Sequence, residues 1–235
     1  MADWALITGA SRGIGRATAA RFRDEGWRVM NVSRHPCSVP DVVNVEVDLS
    51  VPGWEATFIP ALREGPGQGG GRVCLVHNAA RYVHDEALAM EADHFRHVLE
   101  VNLVAPAVLN RLVRPLLTDG SSILYVGSTL SEKAVKGIAS YVTTKHALVG
   151  MMRATCQELV GTQIHTACVC PGFTDTEILR EHLGGDAAAR ASVAARTTFG
   201  RIITPEEIAD FLYTCANTPV LNGAVLHANL GQVET

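Results

Sequence analysis

Hydrophobic positions in this chain fall into short blocks with two different periods. Seven short runs are β-rich, and several of them are apolar almost throughout: "WALIT" (4–8), "RVMNV" (28–32), "VNVEV" (43–47), "RVCLVH" (72–77), "SILYV" (122–126), "IHTACVC" (164–170) and "AVLHA" (224–228). Runs of this length predict strands, and the continuous apolarity of several predicts strands covered on both faces. Between them, apolar residues three and four apart predict helices over Ile14–Glu25, Trp54–Glu64, Glu91–Leu117, Tyr141–Leu159 and Glu206–Ala216. In the first, Ile14, Ala17 and Arg21 keep helical spacing with Phe22 nearby. In the fourth, the stripe is Ala147, Leu148, Met151, Met152, Thr155 and Leu159. Pro106 and Pro115 fall inside 91–117 and predict a break or kink there, because proline lacks an amide hydrogen.

Strands alternating with helices imply parallel strands joined by right-handed crossovers. The expected fold class is therefore α/β, a single-domain Rossmann-type doubly wound parallel sheet of about seven strands over residues 1–235. "REGPGQGGG" (63–71) lies between a helix and a strand and reads as a surface loop. Residues 173–201 have weak strand character and read as one or two small helices in a long excursion, which suits a substrate lid.

Composition then removes several classes. The chain is 47% hydrophobic and 19% charged, as in a compact soluble globule. A net charge of −4 without a basic run argues against a nucleic-acid partner. The N-terminus shows no basic segment followed by an apolar core, and no apolar run approaches the roughly 20 residues of a membrane span. A cytoplasmic protein is expected. Six cysteines, at 37, 74, 156, 168, 170 and 215, read as buried free thiols of a reducing compartment. Cys168 and Cys170 share a strand face. His94 and His97 beside Glu91 have metal-pair spacing, but no third ligand is evident, so they read as surface histidines and no metal is expected.

Candidate chemistry begins where the first strand runs into "TGASRGIG" (8–15). Gly9, Gly13 and Gly15 remove the Cβ atoms that would block a pyrophosphate, and the following helix offers free amides and its positive end. After the second strand, Ser33 and Arg34 stand where an NAD site would place a carboxylate. With Arg12 from the glycine loop they suit a 2′-phosphate, which predicts NADP(H). The bland alternative is that both arginines are solvated surface charges.

The ordered set of motifs resembles the shorter-chain branch of the short-chain dehydrogenase/reductase family across essentially the whole sequence. The matching pieces are "TGASRGIG", "HNAA" (77–80), "VNL" (101–103), Ser128 in "VGST", "YVTTK" (141–145) and "PGFTDT" (171–176). The resemblance implies that Tyr141 exchanges a proton with the substrate oxygen and that Lys145 lowers the tyrosine pKa and holds the nicotinamide ribose. Lysine four residues after tyrosine shares its helix face, and a nearby cation stabilises a phenolate. It further implies that Ser128 hydrogen-bonds the substrate oxygen and Asn102 anchors a proton-relaying water chain. Cofactor contacts are implied for Gly9, Ser11, Arg12, Gly13, Ile14, Gly15, Ser33 and Arg34. They are also implied for Asp48 and Leu49 at the adenine, and for Asn78, Ala79 and Ala80 at its ribose. Tyr141, Lys145, Pro171, Gly172, Thr174 and Thr176 would frame the nicotinamide.

Three departures stand out: His77 replaces the first asparagine of the family's N-N-A-G element, Ala80 replaces its glycine, and "HANLGQVET" lacks the usual V-D-G-G run. The resulting expectation is an NADP(H)-dependent oxidoreductase interconverting a carbonyl and a secondary alcohol. It would act as a reductase on a 3-oxoacyl- or ketone-type small molecule. A homotetramer or homodimer would form through the 91–117 and 141–159 helices. The alternatives are an NAD-dependent alcohol dehydrogenase of the same family and a non-catalytic NADP-binding regulator.

Overall fold

The computed structural model describes residues 2–233; Glu234 and Thr235, at the end of "HANLGQVET", lie outside the described residues. Seven strands form one sheet: β1 (Trp4–Thr8), β2 (Arg28–Ser33), β3 (Val42–Glu46), β4 (Val73–His77), β5 (Ser122–Val126), β6 (His165–Pro171) and β7 (Val225–Ala228). All pairings are parallel, in the order β3-β2-β1-β4-β5-β6-β7. Each strand starts and ends within one residue of its run; β1, β2, β4, β5 and β6 are covered on both faces as expected, whereas the edge strands β3 and β7 are partly exposed because each has a neighbour on one side only.

Alternate strand residues feed two cores. Leu6, Met30, Leu75, Ile123 and Tyr125 pack against α2 (Glu55–Glu64), α4 (Ala105–Val113) and α5 (Ala139–Glu158). Ile7, Val29, Val76, Leu124 and Val169 pack against α1 (Gly13–Asp24) and α8 (Pro205–Ala216). Strand order reverses between β1 and β4, which opens a crevice beyond the C-terminal strand ends.

Helix faces differ in detail from the expected stripes. In α1 the buried residues are Gly13, Gly15, Thr18, Ala19 and Phe22, while Arg21 pairs at the surface with Glu25 and Asp210. In α5 the buried row is Ser140, Thr144, Lys145, Leu148, Val149 and Met152, and Ala147 is exposed. Thr144 and Lys145 take inward places there because their side chains find partners, as described below, while the buried Ser140 hydroxyl has none.

The 91–117 segment is broken, as its prolines predict. It comprises α3 (Ala92–Leu99), a π turn (Glu100–Val104), α4 and a 3₁₀ turn (Arg114–Leu116). Pro106 has no amide to give the Asn102 carbonyl, and the ladder slips so that Ala105 N–H reaches Glu100 O. The 63–71 loop contains one 3₁₀ turn, Pro66–Gln68. The excursion holds α6 (Glu177–His182) and α7 (Ala187–Ala194). Asp175 ties them together: it accepts from Arg180 Nε at 2.8 Å and from Arg190 Nη1 and Nη2 at 2.7 and 2.8 Å.

Candidate active site

A cavity of about 820 Å³ occupies the crevice at the strand ends. Every residue expected at the cofactor or the reacting carbonyl lines it, except Gly15 and Asn102. Both exceptions act from behind the wall.

Gly15 allows the glycine turn to close. A Cβ there would lie 2.3 Å from Gly9 O and 2.5 Å from Asn78 Nδ2. Asn78 needs that space, since its Nδ2 donates to Thr8 O at 2.9 Å and Gly9 O at 3.1 Å. Gly9 itself has φ +70° and would put a Cβ 3.1 Å from Ala79 Cα. No side chain caps the N-terminus of α1, so its first amides are available to an anion at the cavity floor. These features fit a dinucleotide pyrophosphate.

On the β2–β3 side, Asp48 Oδ1 accepts from Ser50 Oγ at 2.7 Å and Ser50 N at 2.9 Å. The Ser50 hydroxyl bond leads in holding this carboxyl below its ordinary value, helped by the nearby Arg34 charge. Ser33 Oγ donates to His35 O at 2.7 Å, so its proton is already engaged. Arg12 Nη1 lies 3.2 Å from Glu181 Oε1 of the excursion. Among the described residues, no hydrogen bond or salt bridge holds the Arg34 guanidinium, which leaves it available at the cavity wall.

On the β5–β6 side stand Ser128, Tyr141 and Lys145. Ser128 caps the turn after β5, its Oγ accepting from Leu130 N at 3.1 Å. Burial pushes the Tyr141 phenol up to about 12, with a hydrogen bond to Ser128 pulling the other way. Burial pushes the Lys145 ammonium down to about 8. Its Nζ donates to Val126 O at 2.7 Å and sits 5.4 Å from the Tyr141 ring centroid. The lysine turns its charge toward a backbone carbonyl, and desolvation of the phenol prevails.

Asn102 is buried and its side chain is fully engaged. Oδ1 accepts from Arg81 N at 2.7 Å, and Nδ2 donates to Arg81 O at 3.1 Å and Thr144 Oγ1 at 2.9 Å. Thr144 Oγ1 in turn donates to Tyr141 O at 2.9 Å. Asn102 thus fixes the backbone that carries the tyrosine.

Sequence reasoning missed two residues. Tyr82 sets its ring edge-on to Tyr141 with centroids 5.1 Å apart, and it lines the cavity. An aromatic residue so soon after "HNAA" was the available signal. Asp85 caps α5 from 55 residues away, Oδ1 accepting from Ser140 N at 3.0 Å. Two backbone bonds reinforce it, Asp85 N to Gly137 O at 3.0 Å and Ala139 N to Asp85 O at 3.3 Å. Nothing in one sequence signals a cap so far from its helix.

The His77 departure belongs to a buried chain. His77 Nε2 pairs with Asn110 Oδ1 at 2.8 Å, Asn110 Nδ2 donates to Tyr125 OH at 2.7 Å, and that hydroxyl meets Thr155 Oγ1 at 3.0 Å. The acceptor role of Asn110 Oδ1 puts the imidazole proton on Nε2, and burial pushes its pKa down to about 4. Cys168 and Cys170 share a face as expected, with sulfurs 3.9 Å apart, and all six cysteines are free. Among the described residues, no group of three metal-ligating side chains converges, and no helix is long and apolar enough to cross a membrane.

This fold with its uncapped glycine turn and Tyr–Lys helix defines a class, the nicotinamide-dependent oxidoreductases built on one doubly wound sheet. A family model described as Enoyl-(Acyl carrier protein) reductase matches residues 9–232, and the chain belongs to the short-chain dehydrogenase/reductase family. Short-chain reductase protein NovJ of Streptomyces niveus is 30% identical, over 97% of this chain and 93% of that protein. The 3-oxoacyl-[acyl-carrier-protein] reductase FabG of Salmonella typhimurium is 28% identical, over 97% and 96%. The solved structure of angucycline C-6 ketoreductase LanV with bound NADP is 26% identical, with a TM-score of 0.85 over 97% of this chain and 95% of that one.

Proposed function

We propose that this protein is an NADP(H)-dependent reductase that converts a ketone or 3-oxoacyl group to a secondary alcohol. It would do so on one dinucleotide-binding domain with residues 173–201 as its lid. The observation that carries the reading is Tyr141, with Ser128 and Lys145 beside it, facing the same cavity as Arg12 and Arg34. Sheet order puts Arg34 on the β2–β3 side and the tyrosine on the β5–β6 side, with Arg12 between them in the turn after β1, an arrangement that supports an extended dinucleotide.

The glycine turn and α1 would hold the pyrophosphate, Asp48 the adenine amino group, and Arg12 and Arg34 a 2′-phosphate. Pro171, Gly172, Thr174 and Thr176 would frame the nicotinamide, which supplies hydride when bound. The chain does the rest. Ser128 orients the substrate oxygen, and Tyr141 gives it a proton. The phenol keeps its proton at neutral pH and so has one to give to a carbonyl oxygen. Lys145 holds the ribose and replenishes the proton, with a water chain starting at the Asn102 carbonyl that Pro106 leaves without an α-helical donor. Reductase names among the relatives and NADP in LanV support this reading.

Tyr141→Phe should leave NADPH binding intact and lower turnover by about 10²–10⁴. Unchanged ketone reduction at 340 nm would refute the role. Arg34→Ala should weaken NADPH about tenfold while sparing NADH. Tighter binding of NADH than NADPH by the unaltered protein would overturn the cofactor assignment. A homodimer or homotetramer through α3, α4 and α5 is proposed, supported by Val104, which is 42% exposed beside α4. Size-exclusion chromatography with light scattering tests it. Free thiols throughout support a cytoplasmic location.

A further inference from the structure

The excursion contains four arginines, Arg180, Arg190, Arg196 and Arg201. Three are neutralised by carboxylates: Arg180 and Arg190 by Asp175, and Arg201 by Glu207 at 2.6 Å. Arg196 has no carboxylate partner among the described residues. Its guanidinium lies over the Phe173 ring, 5.4 Å from the centroid, and it lines the cavity. Phe173 directly follows Gly172 at the end of β6, which is the β5–β6 side where Tyr141 stands. The other arginines of the cavity are elsewhere: Arg12 pairs with Glu181, and Arg34 and Arg81 lie close enough to Asp48 to lower its pKa.

The surroundings of Arg196 are built. Its backbone is clamped on both sides, its N–H donating to Val193 O at 3.1 Å and its carbonyl accepting from Val233 N at 2.8 Å. Gln232 lines the same cavity, and its side-chain oxygen is enclosed without a partner. Amide oxygen and nitrogen are interchangeable by rotation, so Gln232 can present either an acceptor or donors. Tyr82, Leu130, Val135 and Ile178 give the cavity apolar wall, and Glu177 and Thr129 are among its polar lining.

We infer that Arg196 is a specificity-determining residue for substrates that carry an anionic group on an apolar ketone or acyl body. The inference rests on the reductase reading. The substrate carbonyl meets Tyr141, the apolar body lies between Tyr82 and Phe173, and a carboxylate or phosphate reaches Arg196 with Gln232 beside it. Stacking on Phe173 holds the guanidinium plane in place and leaves its N–H edge free for an oxyanion.

The test compares charged and neutral members of two pairs. One pair is 4-oxo-4-phenylbutanoate and its methyl ester. The other is acetoacetyl-phosphopantetheine and acetoacetyl-pantetheine. NADPH oxidation is followed with the unaltered protein, Arg196→Gln and Arg196→Lys. Equilibrium binding of the same compounds to the NADPH complex of Tyr141→Phe gives a readout that needs no turnover. Arg196→Gln should raise KM for a charged member about tenfold with kcat within a factor of two, leave its neutral partner unchanged, and be partly rescued by Arg196→Lys. Selectivity in the first pair identifies a keto acid, and in the second a phosphate-bearing carrier arm. Equal effects on charged and neutral members, no effect on either, or no binding of any charged compound overturns the inference. Arg196-dependent anion binding without reduction of any compound would instead sink the reductase reading and leave the anion site standing.

Discussion

The two walls of the cavity are held by different forces. The sheet wall is dry and packed: glycines at backbone-to-backbone distance, the Asn78 amide nitrogen and both ends of the Asn102 side chain engaged, and a buried His77–Asn110–Tyr125 chain. The lid wall is wet. Asp175, itself mostly covered, holds Arg180 and Arg190, and Glu181 holds Arg12, through arginines that stay about half exposed. Packed contacts are insensitive to salt and intolerant of added volume, whereas exposed ion pairs are screened and contribute little each. One wall therefore fixes geometry and the other is free to move.

Substitution at Gly15 should show the largest effect. Gly15→Ala places a methyl against the Gly9 carbonyl and Asn78, which cannot both retreat. A loss on the order of 3 kcal/mol and of NADPH binding is expected, read by thermal melting and fluorescence titration. A stable variant with normal binding would mean the packed wall is looser than its geometry.

Acid should separate the walls next. His77 is neutral when buried, near 4, and titrates near 6.5 when unfolded. The unfolded state thus takes up the proton first, and stability should fall as pH drops from about 6.5 to about 4, by on the order of 3 kcal/mol. Across that window Asp175 and Glu207 stay ionised. Arg201 and the Thr204 amide hold Glu207 down to about 2, and Arg190 and Arg180 hold Asp175 lower still. Those depressed acids contribute above their ordinary values and lose their contribution only as pH falls through the lowered ones. In His77→Asn the slope of melting temperature against pH between 4 and 6.5 should flatten. An unchanged slope would place the acid sensitivity elsewhere.

Asp85→Ala removes the cap on α5 and should cost about 1 kcal/mol. Because that cap seats Tyr141, turnover should fall more than NADPH binding does. Asp175→Asn should give the smallest change in melting temperature, within a few degrees, yet raise KM as the lid loses its brace. A large loss of stability there, or no salt dependence of KM in the unaltered protein, would erase the distinction between the walls.

The sheet wall was also the legible one. Strands and glycine turn announce themselves because burial on two faces and close backbone approach each demand particular residues locally. Pro106 flagged the broken helix, but the π turn it produces depends on how the ladder recovers. The lysine was legible as a neighbour of the tyrosine, while its bond to Val126 comes from a strand 19 residues away. Asp85 was invisible for a similar reason, and Tyr82 showed only as an aromatic after "HNAA", since the loop that carries them is folded back by the Asn102 side chain. The lid arginines could be counted from the sequence. Which of them lacks a carboxylate depended on side chains brought together only in three dimensions.

The Arg12–Glu181 pair gives cofactor entry the character of an ion exchange. Glu181 is the resident counter-ion of the cleft mouth, and a phosphate arriving at Arg12 must evict it. One carboxylate is then handed back to water, and the helix that carries it loses its tether at the moment the cleft fills. The same exchange makes the apparent affinity for a phosphorylated cofactor a difference between two anions competing for one guanidinium. Removing the competitor, as in Glu181→Gln, should tighten NADPH more than NADH.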